Sequence, residues 1–383
     1  MKKIGVLTFY YNVKNYGALL QAYALTRLIN ELGYLCEQVC RKDVKTVRRR
    51  RFKTKNIPVY IETLKKLIFK KNIFNSKIVK IRNAAVKNFQ YSIPHSQKVY
   101  DSSNIEKCLQ CYDIFIAGSD QVWNMNWYRK EYFLDFVPED IYKFSYAASM
   151  PNVNINDEQK EIVKEHLKSF NAISVREKET ADFLKKLTGK DVVQTLDPTL
   201  LLDKSQWDDI CADRIIEGDY IFCYFLGESK EMRKEAKRFA KRVGYKIVNL
   251  PHLVKLCSAD MFFANINLYD ISPEQFISLI KYAKYVITDS FHATVFSTLY
   301  KTDFFVFDRT DIGVMNSRVT TLLSLTENEE RFCYGDKMNV DYMLEIINNP
   351  VNETTEQFLN MKNSSIEYLK HNLSKSGVKV DEN

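Results

Sequence analysis

The stretch "KKIGVLTFYYNVKNYGALLQAYALTRLINELGYLCEQVC", Lys2–Cys40, decides the fold. It opens on an apolar run of strand length. Leu20, Ala24, Leu25, Leu28, Ile29 and Leu32 then recur at three- and four-residue intervals, which sets one face of a helix. Gly33 ends that helix, and "YLCEQVC" reads as a second strand. A strand, a helix and a strand in this order predict a parallel sheet.

The same alternation returns further along. "YDIFIAGS", "KFSYAAS", "AISVRE" and "DVVQTLD" read as strands, with "DEQKEIVKEHLKSF" and "KETADFLKKLTG" as helices. "PTLLLDKSQWDDI" reads as a crossover. Beyond it, "YIFCYFLG", "KEMRKEAKRFAKRVGY" and "KIVNLP" form another β-α-β unit, and "SPEQFISLIKYA", "KYVITDS", "FHATVFSTLYK" and "DFFVFDR" give helix, strand, helix, strand. The expectation is an α/β protein with two Rossmann-like domains facing across a cleft. The first spans 1–200 with a basic insertion at about 41–99, the second spans 201–350, and a C-terminal helix and tail cover 351–383.

A chain of 383 residues, 45% hydrophobic, is long enough for two cores. No uncharged apolar run approaches the length of a membrane span. The lysines and short apolar run at the start resemble a signal peptide, but Asn12 and Lys14 break the run, and it reads better as a buried strand. Eight cysteines without dense spacing fit reduced thiols in a cytoplasmic protein. The net charge of +8 is uneven: Arg41–Asn83 holds 16 Lys or Arg against Asp43 and Glu62, a balance of +14, which leaves −6 for the rest. Such a segment, with "RRRR" at Arg48–Arg51, is either a solvated basic surface or a binding surface for phosphates. Within it, Ile57, Ile61, Leu64, Leu67 and Ile68 share a helical face, either interfacial or packed on its own domain.

Ligands of open α/β sheets sit outside the carboxyl ends of the strands. Four stretches fall there. In the first turn, Asn15, Tyr16, Gly17 and Gln21 form a polar and aromatic cluster with a glycine for close backbone approach, and Asn15 alone also reads as a helix cap. In "AGSDQVW", Gly118, Ser119, Asp120 and Gln121 offer amides and side chains to hydroxyls or phosphate. Arg176 ends "ISVR", where its planar fork suits a carboxylate or phosphate, or a salt bridge to Glu177 or Glu179. In "VITDSFHATVF", Asp289 ends the strand, Ser290 is placed to cap, and His292 falls in the first helical turn. There it donates to an anion, shuttles a proton, or is simply a core residue.

"CLQC" at Cys108–Cys111 has the spacing of a metal knuckle or redox pair, but no second pair with zinc spacing accompanies it, and ordinary thiols are expected. Neither a Walker loop nor G-x-G-x-x-G is present, so nucleotide cofactors have no support in the sequence. No metal site and no nucleic-acid partner are expected.

The pieces "IGVLTFYYNVKNYGALLQAYAL", "DIFIAGSDQVWN", "ISVREKETADFL", "LDPTLLL" and "YVITDSFHATVFSTLYKTDFFVF", in this order, resemble the polysaccharide pyruvyl transferase family. The resemblance implies a GT-B-type arrangement and transfer of the enolpyruvyl carbons of phosphoenolpyruvate to a sugar as a ketal, in capsule, cell-wall or exopolysaccharide synthesis. Phosphoenolpyruvate is then a co-substrate and no further cofactor is implied. His292 and Arg176 match a family histidine and a family arginine. Some members carry an arginine two positions before that histidine, where this chain has Ser290; Arg318, in "MNSRV", or a lysine is the candidate replacement.

The catalytic candidates are therefore His292, Arg176 and Asp289, the last to orient His292 or a sugar hydroxyl. The expected partner is a saccharide, lipid-linked or nucleotide-linked, with peripheral contact of segment 41–83 at the inner face of the membrane. Two other readings stand beside this one: a GT-B glycosyltransferase using a nucleotide sugar, and a non-catalytic saccharide-binding relative.

Overall fold

A computed structural model of the chain describes residues 3–42, 77–251, 257–260, 263–309 and 317–375. The arginine run 48–51 and the amphipathic stretch 57–68 lie outside them. The opening unit is β1 (Lys3–Leu7), α1 (Tyr16–Glu31) and β2 (Leu35–Gln38). Then come α2 (Lys77–Ser92), β3 (Ile114–Ala117), β4 (Tyr142–Ser145), α3 (Asp157–Leu167), β5 (Ile173–Val175), α4 (Lys178–Thr188) and β6 (Val192–Gln194). A short α5 (Lys204–Asp208) leads to β7 (Tyr220–Tyr224), α6 (Lys230–Val243), β8 (Lys246–Asn249), β9 (Ile266–Asn267), α7 (Pro273–Lys281) and β10 (Tyr285–Thr288). The chain continues through α8 (Phe291–Tyr300), β11 (Asp303–Phe307), α9 (Ser317–Leu325), β12 (Phe332–Cys333), α10 (Val340–Glu345) and α11 (Glu356–Lys375).

All strand pairs are parallel. The first sheet runs β2-β1-β3-β4, and β5-β6 continues it through single bridges from Phe144 to Ala172 and from Ala148 to Val175. The second runs β12-β11-β10-β7-β8-β9. The central strands are buried on both faces and mainly apolar: β3 reads IFIA, β7 YIFCY and β10 YVIT, and every residue of each is buried. Strand order reverses between β1 and β3 in one sheet and between β7 and β10 in the other. Reversal sends successive helices to opposite faces, and the carboxyl ends at such a point are where open α/β sheets take their ligands.

The two halves share a core. The Tyr16 ring stacks on Phe276 at 5.0 Å, Trp207 meets Phe296 edge-on at 4.8 Å, and the Tyr16 hydroxyl donates to Ile271 O at 2.7 Å. Helix α1 is at this joint, which is why it buries far more than one face. Asn15 caps it by accepting from Ala18 N–H at 3.3 Å, and Gly33 (φ +87°) turns the chain out. Helix α11 returns to the first half: Ser365 Oγ accepts from Leu196 N–H at 2.9 Å, and the Tyr368 hydroxyl donates to Ser145 O at 3.1 Å. Among the described residues, no helix is long and apolar enough to cross a membrane.

Candidate active site

The first half supplies a dense ionic floor. Arg176 is the first residue past β5, and its Nη1 bonds Asp197 Oδ2, just beyond β6. Asp120 Oδ1 and Glu177 Oε1 stand 3.8 and 3.6 Å from other nitrogens of the same guanidinium. Asp197 also accepts from Thr199 N–H at 3.0 Å and Thr199 Oγ1 at 2.6 Å, and Ser119 Oγ lies 3.3 Å from its Oδ2. Burial works against the charge on Arg176, but the carboxylates of Asp197, Glu177 and Asp120 outweigh it and hold the guanidinium above its ordinary pKa. Burial likewise opposes the Asp197 carboxylate, yet Arg176, His292 and the Thr199 donors keep it below the usual range. Beside this floor, Gly118 adopts φ +112°, and a Cβ there would lie 2.3 Å from Tyr146 O. A residue with a side chain therefore does not fit.

The second half supplies a roof. Ser290 caps α8 by accepting from Ala293 N–H at 3.5 Å, and His292 is the second helical residue. Its ring reaches the first half: a Cβ on Gly17 would lie 2.0 Å from His292 Nδ1. Gly17 is therefore the position that lets the imidazole reach the joint. His292 Nε2 faces Asp197 Oδ1 at 3.8 Å, too long for a hydrogen bond, and has no partner among the described residues. Burial pushes the His292 pKa down, reinforced by Arg176 and Arg318 and opposed by Asp197 and Asp120, so the ring is neutral near pH 7.

Arg318, on the first turn of α9, lies over the Phe291 ring at 5.6 Å, and Arg176 lies over the same ring at 4.8 Å. Gln121, with its amide oxygen turned toward the guanidinium, accepts from Arg318 Nη1 and Nη2 at 3.1 and 3.2 Å. Burial and the nearby charge of Arg176 lower the Arg318 pKa to about 10. Arg176 Nε and Nη2 and Arg318 Nε are buried without hydrogen-bond acceptors among the described residues. Unpaired buried donors are costly, and at a crevice they mark where an anion fits.

The structure thus brings together Arg176, His292, Arg318, Gly17, Ser119, Asp120 and Gln121. It sets four other candidates aside. Asn15 is exposed and caps α1. The Tyr16 hydroxyl donates to Ile271 O, and Gln21 Nε2 donates to Thr8 Oγ1 and Ala18 O, while Gln21 Oε1 is buried without a donor among the described residues. Asp289 does not orient His292. Its carboxylate accepts from Leu226 N–H at 2.6 Å and Gly227 N–H at 2.7 Å, with Arg309 Nε at 3.8 Å, because it closes the turn after β7. Burial raises its pKa against Arg309 and those two amides. The acid that faces His292 is Asp197, which sequence reasoning passed over. Its signal was its place at the end of "DVVQTLD", the same strand-end rule that singled out Arg176. Phe291, the shared platform of both arginines, had no such signal.

A family model described as polysaccharide pyruvyl transferase matches residues 15–311. The chain belongs to the polysaccharide pyruvyl transferase family. Among solved structures, it is similar to the UDP-GlcNAc 2-epimerase of Methanocaldococcus jannaschii at 10% identity and TM-score 0.57, covering 97% of this chain and 99% of that one. It is also similar to the S. aureus MnaA–UDP co-structure at 12% identity and TM-score 0.53, covering 98% and 97%. Arabidopsis thaliana UGT89C1 matches at 8% identity and TM-score 0.50, covering 98% and 100%. At these identities the likeness is one of fold, and it makes this family member a GT-B-type α/β protein. Among curated proteins, no sequence matches the chain.

Proposed function

We propose that this member of the pyruvyl transferase family moves the enolpyruvyl carbons of phosphoenolpyruvate onto two hydroxyls of a saccharide, in capsule, cell-wall or exopolysaccharide synthesis. The observation that carries the reading is the set of unpartnered buried nitrogens on Arg176, Arg318 and His292 around one crevice. A trianionic donor supplies the acceptors those nitrogens lack. The reaction balances without further reagents. A proton adds to the methylene carbon of the donor, the second carbon becomes oxocarbenium-like, and a sugar hydroxyl attacks it. The bond from that carbon to the phosphate oxygen breaks, phosphate leaves, and a second hydroxyl closes the ketal. One hydroxyl proton replaces the one given to the methylene carbon, and the other leaves with phosphate.

In this reading Arg176 and Arg318 grip donor oxygens and stabilise the departing phosphate. Arg318 takes the place of the cation that Ser290 does not supply. His292 moves protons at Nε2. Its ring is neutral in the free protein, and an entering trianion shifts it toward imidazolium, so the donor brings its own general acid into play. Asp197 acts as a positioning residue, since it holds Arg176 and faces the imidazole. The acceptor is a lipid-linked saccharide, handled in the cytoplasm at the inner face of the membrane, with segment 41–83 against anionic headgroups. The +14 balance of that segment supports this part.

The test is phosphate release from phosphoenolpyruvate with saccharide acceptors, alongside thermal shifts with phosphoenolpyruvate and with UDP-sugars. Donor-dependent phosphate release that His292→Ala abolishes is expected. Stabilisation by UDP-sugars alone points instead to glycosyl transfer, and saccharide binding with no donor turnover to a binding protein. Sedimentation with anionic vesicles at low salt, reversed at high salt and weakened by replacing Arg48–Arg51 with Ala, checks the membrane contact.

A further inference from the structure

A second pair of cations stands at the joint and has no part in the reaction above. Arg82, on α2, is 5% exposed, and its guanidinium lies over the Tyr16 ring at 4.9 Å. Its Nε and Nη1 are buried with no hydrogen-bond acceptor among the described residues. Arg309, just past β11, comes from the other half. Its side chain is 11% exposed, and its Nε is also without an acceptor. Asp289 does not fill that need: Oδ2 is 3.8 Å away, and both its oxygens already accept backbone N–H groups.

Tyr224 ends β7, and its ring lies 6.4 Å from the Tyr16 ring that Arg82 covers. Two residues on, the Leu226 N–H donates to the Asp289 carboxylate that faces Arg309. Gly227 makes room for the Asp289 carboxylate, since a Cβ there would stand 2.9 Å from Oδ2, and Arg309 Nε lies 4.0 Å from the same point. This region borders the reacting centre. Tyr16 precedes Gly17, on which the His292 ring packs, and Asp289 lies three residues before His292.

We infer that Arg82 and Arg309 form a second anion subsite, which holds the phosphate or diphosphate group through which the acceptor saccharide is carried. The inference rests on the donor assignment above only in taking the Arg176, Arg318 and His292 crevice as already filled. Three buried guanidinium nitrogens without hydrogen-bond acceptors, from one arginine of each half, suit a tetrahedral anion with several free oxygens better than a carboxylate with two. A neutral saccharide leaves all three unpaired. Because one arginine comes from each half, the bound anion also ties the halves together beside the donor.

The probe is inorganic pyrophosphate, titrated calorimetrically into the full chain with and without saturating phosphoenolpyruvate. Binding in the presence of phosphoenolpyruvate is expected, weakened at least tenfold by Arg82→Gln and by Arg309→Gln. Affinity for phosphoenolpyruvate itself stays within twofold. Arg82→Lys keeps a cation in the same fold and restores part of the pyrophosphate affinity; a full loss in both Arg82 variants with an unchanged melting temperature still supports the subsite. Pyrophosphate that competes with phosphoenolpyruvate and ignores both substitutions overturns it. So does a lower melting temperature in Arg82→Gln with unchanged pyrophosphate affinity, which makes Arg82 a packing residue. If phosphoenolpyruvate does not bind at all, the donor assignment fails while the pyrophosphate titration still decides the subsite. A UDP-sugar and a short-chain polyprenyl diphosphate saccharide then separate the two sources of the same diphosphate.

Discussion

Arg176 and Arg318 lie over the same phenylalanine ring but come from opposite halves of the molecule, and their surroundings differ. Arg176 is met by Asp197, Asp120 and Glu177, and its pKa rises. Arg318 is met by a carboxamide oxygen, and its pKa falls to about 10. Both are buried, so burial does not separate them; compensation by acids does. The first arginine is part of what holds the floor together, and its charge is matched before any ligand arrives. The second is a charge short of an anion, and a ligand is what completes it. The comparison separates a cation already held by acids, with only Nε and Nη2 left to meet a donor, from one whose whole charge awaits the ligand.

The sharpest way to break this distinction is Arg176→Ala. Removing it leaves three carboxylates together with no guanidinium, and breaking a buried pair of this kind costs about 3–5 kcal/mol. Urea denaturation is expected to show that loss, and Arg176→Lys to recover only part of it, since an ammonium lacks the planar fork. A stable Arg176→Ala protein ends the contrast between the two arginines.

Gly17→Ala tests the joint rather than the charges. A methyl group 2.0 Å from His292 Nδ1 forces the ring out of place, and a misplacement of about 1 Å costs about a hundredfold in turnover. Stability lost in Gly17→Ala is expected to return in the double variant Gly17→Ala/His292→Ala, where the clash is gone, while activity does not.

Arg318→Gln is expected to weaken donor binding about ten- to hundredfold, the worth of a hydrogen bond to a charged group. Its effect on stability, read by the same urea titration, is expected to be nil or slightly favourable, because no acid loses its partner. A large loss of stability here places Arg318 with Arg176 after all.

The smallest effect concerns pH. The folded pKa of His292 is depressed below the unfolded value of about 6.5, so the unfolded chain binds the extra proton first as pH falls. Stability from this group is present above about pH 6.5 and is lost as pH falls from there toward the folded pKa. The slope is at most about 1.4 kcal/mol per pH unit. His292→Gln is expected to remove that part of the slope, measured as the difference from the unchanged protein across that window.

The alternation of apolar runs and helical spacings was enough to establish parallel sheets, because each signal is local. A strand buried on both faces is apolar throughout, and a helix against a sheet repeats every three or four residues. The strand-end rule placed Arg176 and His292 from sequence for the same reason, since the end of an apolar run is visible in the run itself. What only the tertiary structure decided was which of these ends meet. His292 faces Asp197 and rests on Gly17, and Arg318 shares Phe291 with Arg176. These partners are far apart in the chain, and no spacing within a run encodes contacts made when two sheets dock. Asp289 and Asp197 show the cost of that blindness. Both end strands, and their local sequences look alike as candidates. The amides of Leu226 and Gly227 claim one carboxylate, and Arg176 with the imidazole claims the other, because docking sets partners that the sequence around each aspartate does not contain.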